Sequence, residues 1–212
     1  MGRRTGSRNA DYTRSRDSIV DRLATSILWS DRYNLSFNQL ARAAGVAPAT
    51  LRHYLGDRDG VLAATFARLH RAGAPYLAEA ASSPRGPPER SLRWFLDDLC
   101  EGWKAGAGRA HALGLSEGLG HRPLGEAYVG HLLEPTLQAV EARIARHVAD
   151  GELGRCNLRH AALELLGPVV LALLHQDALG GAAVRPLDLG RFLDDHVARF
   201  LRAHASPGAP PA

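Results

Sequence analysis

Residues 36–62 read Ser-Phe-Asn-Gln-Leu-Ala-Arg-Ala-Ala-Gly-Val-Ala-Pro-Ala-Thr-Leu-Arg-His-Tyr-Leu-Gly-Asp-Arg-Asp-Gly-Val-Leu. Ser36 and Gln39 have capping-box spacing: the serine hydroxyl can accept from the backbone N–H three residues on, and the glutamine can reach back. They start a short helix that ends at Gly45, where a glycine allows a sharp turn. Pro48, tolerated in a first helical turn, opens a second short helix to about Tyr54. Leu40, Val46 and Leu51 fill the wedge between the two helices, and Ala41 is small where they cross. This is the pattern of a helix-turn-helix, whose second helix fits the DNA major groove. Its free face would show Ala49, Thr50, Arg52 and His53. The competing reading of the same spacing is an ordinary αα-corner in a bundle.

Working outward, Ile19, Leu23 and Ile27 with Val20 and Ala24 form one apolar stripe of a preceding helix. Ser15 is its expected N-cap, and it should end near Tyr33 and Asn34. Asp57 caps a longer helix running to about Leu77. The breaker cluster from Ser82 to Pro88 is a loop. Beyond it, apolar residues at helical spacing predict helices at about 89–105, 109–118, 123–149, 159–179 and 187–204. No alternating strand pattern and no internal repeat occurs. The chain therefore reads as all-α: a flexible basic arm at 1–14, a three-helix helix-turn-helix domain at 15–60, a larger helical bundle at 61–205 and a disordered Pro-rich tail at 206–212.

Composition fits this reading. The 212 residues are 45% hydrophobic and 23% charged, an ordinary globular balance. The net charge is +4, and residues 1–60, with ten arginines and six aspartates, carry all of it. Within that stretch, residues 1–16 hold five arginines against Asp11 alone, whereas residues 17–60 are neutral. A basic end on a neutral body points to a polyanion contact at that end. Arg14 and Arg16 could engage phosphates there, or the arm could be a merely solvated tail. Two cysteines, Cys100 and Cys156, make no disulfide framework and suit a reducing cytoplasm. The first residues lack the apolar run of a signal peptide. The longest apolar run, Leu165 to Leu174, is short for a membrane span, so no membrane partner is expected. The ten histidines include no i, i+4 pair and neither cysteine lies in a C-x-x-C, so no metal site and no cofactor are expected.

The stretch 36–62, with the helix before it and Trp29 at that helix's end, resembles the DNA-binding signature of the TetR (tetracycline-repressor) family of transcriptional regulators. The likeness covers about residues 15–65; the rest matches in architecture only. It implies a homodimer whose recognition helices read successive major grooves of double-stranded DNA at a near-palindromic operator. Ser36 would cap its helix near a phosphate, and Asn38 would reach a base edge or a phosphate. Thr50 would face DNA, Tyr54 would donate to a phosphate, and Arg58 would keep positive charge near the backbone. Arg52 departs from the family's usual tyrosine and could take a guanine or a phosphate. Ala47 replaces the usual serine or threonine cap, and Leu55 a usual phenylalanine.

The resemblance also implies that the bundle binds a small-molecule effector and dimerises. Trp94, Leu99, Trp103, His111, Leu115, Tyr128 and Leu132 are the candidate effector-binding residues, with ordinary core packing as the other reading. Leu166, Val170, Leu173, Leu174, Phe192, His196 and Phe200 are the candidate dimer face, with a monomer's core as the other reading. The function expected is a cytoplasmic, ligand-responsive DNA-binding regulator, in the first place a repressor released by a small molecule. An activator, or a ligand-independent binder, of the same fold is the alternative. No enzyme is expected: Gly114-Leu-Ser-Glu-Gly118 matches the G-x-S-x-G pattern of serine hydrolases through Ser116, but no strand precedes it to form the strained turn that pattern needs.

Overall fold

The computed structural model describes residues 5–29, 35–82 and 86–206, with side chains from residue 10 onward. The protein is all-α. Its helices are α1 (Thr5–Trp29), α2 (Phe37–Ala43), α3 (Pro48–Leu55), α4 (Arg58–Ser82), α5 (Pro88–Gly102), α6 (Gly108–Gly120), α7 (Arg122–Tyr128), α8 (Glu134–Ala149), α9 (Leu158–Leu173), the short α10 (Gly181–Val184) and α11 (Leu189–Ala203). π-Helical turns follow α5, α7 and α9, at Trp103–Ala107, Val129–Leu133 and Leu174–Ala178. Among the described residues there is no strand, only one antiparallel bridge between Leu153 and Ala205.

The chain divides into two compact units, 1–72 with 109–132, and 73–108 with 133–212. The boundary expected at residue 60 is thus not where the chain divides: α4 runs on past it, and α6 and α7 group with the helix-turn-helix. Helical periodicity marks where helices lie but carries no information on which of them pack together.

In the first unit, Ile19, Val20, Leu23, Ala24 and Ile27 of α1 are buried as the stripe predicts, with Leu40, Ala41 and Leu51 of the helix pair. Val61, Leu62 and Phe66 of α4 and Leu113, Leu124 and Tyr128 complete the interior. Gly114 is set by a close approach: a Cβ there would lie 2.2 Å from Cδ2 of the Tyr128 ring. Beside it, His111 Nδ1 and the Tyr128 hydroxyl share a hydrogen bond of 3.0 Å. Burial pushes His111 down to about 4 and Tyr128 up to about 12, so both are neutral near pH 7.

The expected arm is helical in its described part: residues 5–14 are the first turns of α1. A tertiary contact that the polar sequence does not announce bears on this, because Tyr12 packs on two rings of α3. Residues 1–4, the helix end expected at Tyr33 and Asn34, part of the loop at 83–85 and the tail from 207 lie outside the described residues.

In the second unit, Leu92, Phe95, Leu96, Trp103, Leu137, Val140, Ile144, Leu165, Val169, Val197 and others form one core. Arg143, only 1% exposed, lies inside it. Its guanidinium donates to the Ala80 carbonyl in the last turn of α4, from Nε at 2.8 Å, and to Ser91 Oγ from Nη1 at 2.8 Å. It also lies over the Trp94 and Phe95 rings, 5.1 and 5.6 Å from their centroids. Ser91 Oγ in turn meets His147 Nε2 at 2.9 Å, and His147 Nδ1 meets Glu152 Oε2 at 2.6 Å. Serine, histidine and carboxylate follow in the order of a nucleophilic triad. Here Ser91 and His147 are fully buried and the hydroxyl already takes an Arg143 N–H, so the chain of bonds ties α4, α5, α8 and the loop at 152 together.

Leu166, Leu173, His196 and Phe200, expected on a dimer face, are buried inside this chain. His196 Nε2 lies 2.9 Å from the Leu165 carbonyl, and its ring stacks on Phe192. Helix α9 is apolar nearly all round, so its pattern does not separate an inward from an outward side. The outward side carries Leu163 and Leu171, 46% and 65% exposed, with Val170 and Leu174 half-buried. Leu158–Ala178 has the length and apolarity to cross a membrane, and its inward face is packed into the core just described.

Candidate nucleic-acid interface

Local chemistry builds the helix pair. Ser36 is the N-cap of α2: its Oγ accepts from Gln39 N at 3.3 Å, and Gln39 Oε1 accepts from Ser36 N at 2.8 Å. The reciprocal box seen in the sequence is therefore formed. Gly45 takes φ +66°, a conformation that a side chain resists, and Val46 N then reaches back to the Ala41 carbonyl at 3.0 Å. Arg22 of α1 clamps the turn from outside, donating from Nε to the Ala44 carbonyl and from Nη1 to Ser18 Oγ. Nothing in the spacing of residues 36–62 announces this arginine, which lies outside the motif. Helix α3 starts with Pro48 in its first turn and no side-chain cap from Ala47, as expected.

The structure places Leu51 and Leu55 of α3 inward and leaves Ala49, Arg52 and His53 exposed on one side, with Thr50 and Tyr54 half-buried at its edges. Asn38 is exposed on α2 and Ser36 at its start. Arg52 lies over the Phe37 ring, 4.9 Å from its centroid, which steadies a long side chain without neutralising it. Arg14 and Arg16 are on α1 beside local carboxylates, Asp11 at 3.6 Å and Asp17 at 3.9 Å. Such exposed pairs are weak and yield easily to a stronger anion.

Arg58 does not have the free guanidinium that a phosphate contact would use. Its Nη1 and Nη2 hold Glu117 of α6 bidentately at 2.7 and 2.6 Å, and its Nε donates to the Leu35 carbonyl at 2.9 Å. The hydrogen bond from Arg58 holds Glu117 below the usual carboxylate range, and the same bond raises the arginine. Glu117 is remote in sequence, so spacing alone could not show the pairing. Ser116 sits within α6, where its Oγ donates to the Leu113 carbonyl at 3.0 Å; no strand leads into it, and the nucleophile turn is not formed. Among the candidate effector residues, His111, Leu115, Tyr128 and Leu132 belong to the first unit, and Trp94, Leu99 and Trp103 to the second. Trp103, His111 and Tyr128 are buried, and the other four half-buried. Among the described residues, no three His, Cys, Asp or Glu side chains gather as metal ligands would.

A capped helix, a glycine turn and a second helix with a free polar side define a helix-turn-helix protein. No protein-family model and no curated protein matches the chain. Solved structures do. A TetR transcription regulator from Haloarcula marismortui superposes with a TM-score of 0.70 at 15% identity, over 92% of this chain and 100% of the other. A TetR transcriptional regulator from Agrobacterium tumefaciens gives 0.66 at 20% identity, over 91% and 94%. The transcriptional regulator FadR from Bacillus subtilis, solved in complex with stearoyl-CoA, gives 0.64 at 15% identity, over 89% and 97%. The protein has the fold of the TetR-family transcriptional regulators.

Proposed function

We propose that the protein is a dimeric, cytoplasmic, effector-responsive transcriptional regulator, and not an enzyme, that binds double-stranded DNA through α2 and α3. The observation that carries this is the free side of α3, where Ala49, Arg52 and His53 project from a helix pair held by a capping box, a glycine turn and Arg22. Arg52 and His53, with Thr50 and Asn38, would meet base edges or phosphates, and Ser36 and Tyr54 would meet the backbone. Arg14 and Arg16 would add phosphate contacts and with them the salt dependence of binding. Arg58 acts at one remove, by holding Glu117 and the start of α2. The domain assignment follows: a DNA-binding part, and a helical part that dimerises and responds to a ligand.

A second copy would pack against the outward side of α9, on Leu163, Leu171, Val170 and Leu174, with Phe192 at its border. The exposure of two large leucines on one helix side supports this. Two-fold pairing would present two copies of α3 to a near-palindromic operator. Repression, with release by a small molecule, is the mode we assign. An effector works only by binding the two states unequally. Stearoyl-CoA is the first effector to try, because the Bacillus subtilis neighbour holds it; His111, Tyr128, Leu115 and Leu132 in one unit and Trp94, Leu99 and Trp103 in the other are the residues to vary.

Selection of bound sequences from random duplex DNA tests the reading. The expected result is an enriched palindrome, bound more tightly than random duplex and released on titration with effector. Absence of enrichment at moderate salt would overturn the DNA-binding reading. Sedimentation of Leu171→Glu with Leu163→Glu should give folded monomers; persisting dimers would move the interface elsewhere.

A further inference from the structure

The helical start of α1 puts an aromatic side chain on α3 that the sequence pattern gave no reason to notice. Tyr12 packs against Tyr54 with ring centroids 4.8 Å apart and planes tilted by 37°. It meets His53 edge-on, at 5.7 Å and 84°. His53 and Tyr54 meet each other at 5.1 Å and 74°. Three rings thus form a closed triangle, in which the two contacts of His53 have the edge-on geometry that aromatic quadrupoles favour. The Tyr12 hydroxyl also donates to the His53 carbonyl, one of those left open at the end of α3. At 3.5 Å this contact is long for an O–H···O hydrogen bond and weak, so the rings carry the packing.

His53 and Tyr54 are the last two polar side chains on the free side of α3, and among the described residues Tyr12 is the ring outside α3 that packs on both. Resting on the DNA-binding reading above, we infer that Tyr12 is a positioning residue of the DNA-reading surface. It holds His53 and Tyr54 in the orientation in which they meet the duplex, and so lowers the ordering cost of binding. Helix geometry extends the point. Arg16 follows Tyr12 by four residues and lies about 40° round the helix from it, on the α3 side, whereas Arg14 lies about 200° away. Arg16 is accordingly half-buried and Arg14 exposed. The first turns of α1 act with α3 as one surface, in which Tyr12 sets side chains and Arg16 supplies charge.

The test uses the full chain with Tyr12→Ala, Tyr12→Phe and Arg16→Ala, on the selected duplex and on a random duplex of equal length. Tyr12→Ala should lose about three- to tenfold in affinity for the selected duplex, the size of one aromatic contact. It should lose little on random duplex and keep its log–log salt slope, because tyrosine carries no charge. Tyr12→Phe should bind as the parent does. Arg16→Ala should weaken both duplexes and reduce the slope by about one. In the free protein, the His53 ring-proton resonances should move in Tyr12→Ala and stay in Tyr12→Phe. Equal loss on both duplexes, or no loss, would overturn the positioning role, as would His53 resonances that ignore Tyr12. A parent chain that shows no sequence preference would instead overturn the DNA-binding reading itself, which the variants alone cannot do.

Discussion

Helices α2 and α8 are held in place by different chemistry. Helix α2 has seven residues, and its ends are formed by neighbours in sequence, Ser36 and Gln39 at one and Gly45 just past the other, with Arg22 and Arg58 bracing them from farther away. Helix α8 has sixteen and is set by Arg143 and His147, whose partners Ala80 and Ser91 lie more than fifty residues away. Local bonds each contribute about 1 kcal/mol and can be lost singly. A buried polar network in a low-dielectric core stands or falls together. The local bonds of the helix pair should therefore tolerate single side-chain changes better than the buried network of the second unit does.

The sharpest way to break this contrast is Arg143→Met. Methionine keeps much of the volume but leaves the Ala80 carbonyl buried without the guanidinium that donates to it, and takes one of its two partners from the Ser91 hydroxyl, which keeps His147. One unsatisfied carbonyl at about 1–3 kcal/mol and the lost charge-assisted bond to Ser91 at about 1.5–3 kcal/mol predict a loss of about 4 kcal/mol in urea unfolding. Ser36→Ala, by comparison, should cost about 1 kcal/mol. Equal losses in the two variants would erase the distinction.

His111 offers a pH-dependent version of the same test within the first unit. Its folded value is depressed to about 4, while an unfolded histidine titrates near 6.5. The unfolded state therefore binds the extra proton in this window, and stability should fall as pH drops from 6.5 towards 4. The slope is at most about 1.4 kcal/mol per pH unit, and the whole effect about 3 kcal/mol. His111→Gln keeps a polar partner for Tyr128 and removes the titration, so its stability should be flatter with pH over this range. Glu117, held low by Arg58, adds a loss of the same sign at the acid end. Parallel pH curves for parent and variant would remove His111 as a cause. Gly114→Ala follows in size: a methyl placed on the Tyr128 ring should cost about 2 kcal/mol by overpacking. An unshifted melting temperature would show that the ring can move aside.

The same division explains how much could be read in advance. The capping box, the turn at Gly45, the start of α3 at Pro48 and the inward stripe of α1 are all relations between residues a few positions apart, and all appear as expected. Arg58–Glu117, Arg22–Ala44 and Tyr12–His53 join distant positions, and nothing in the spacing of either partner marks them. Leu166 and Leu173, expected on a dimer face, lie inside the chain for a related reason: on α9, apolar nearly all round, periodicity gives the helix but not the side that turns inward, whereas Phe200 is on the buried stripe of the amphipathic α11. The outward side became visible only through the exposure of Leu163 and Leu171.

The smallest expected effect probes the local end of the contrast. Ala47 is the N-cap of α3 and makes no side-chain bond to the first turn, although its backbone, at φ −67° and ψ 150°, already has the extended geometry that a capping serine uses. Ala47 is also exposed, so a hydroxyl there displaces nothing. Ala47→Ser should therefore add about 1 kcal/mol to stability, read as a rise in melting temperature. It should add this without help from any distant residue, so the gain should be the same in the Arg143→Met background, because the two sites lie in different units and share no partner. A gain that vanishes in that background would mean the helix pair depends on the second unit's network, and the two regions would no longer be separable in the way their bonds suggest.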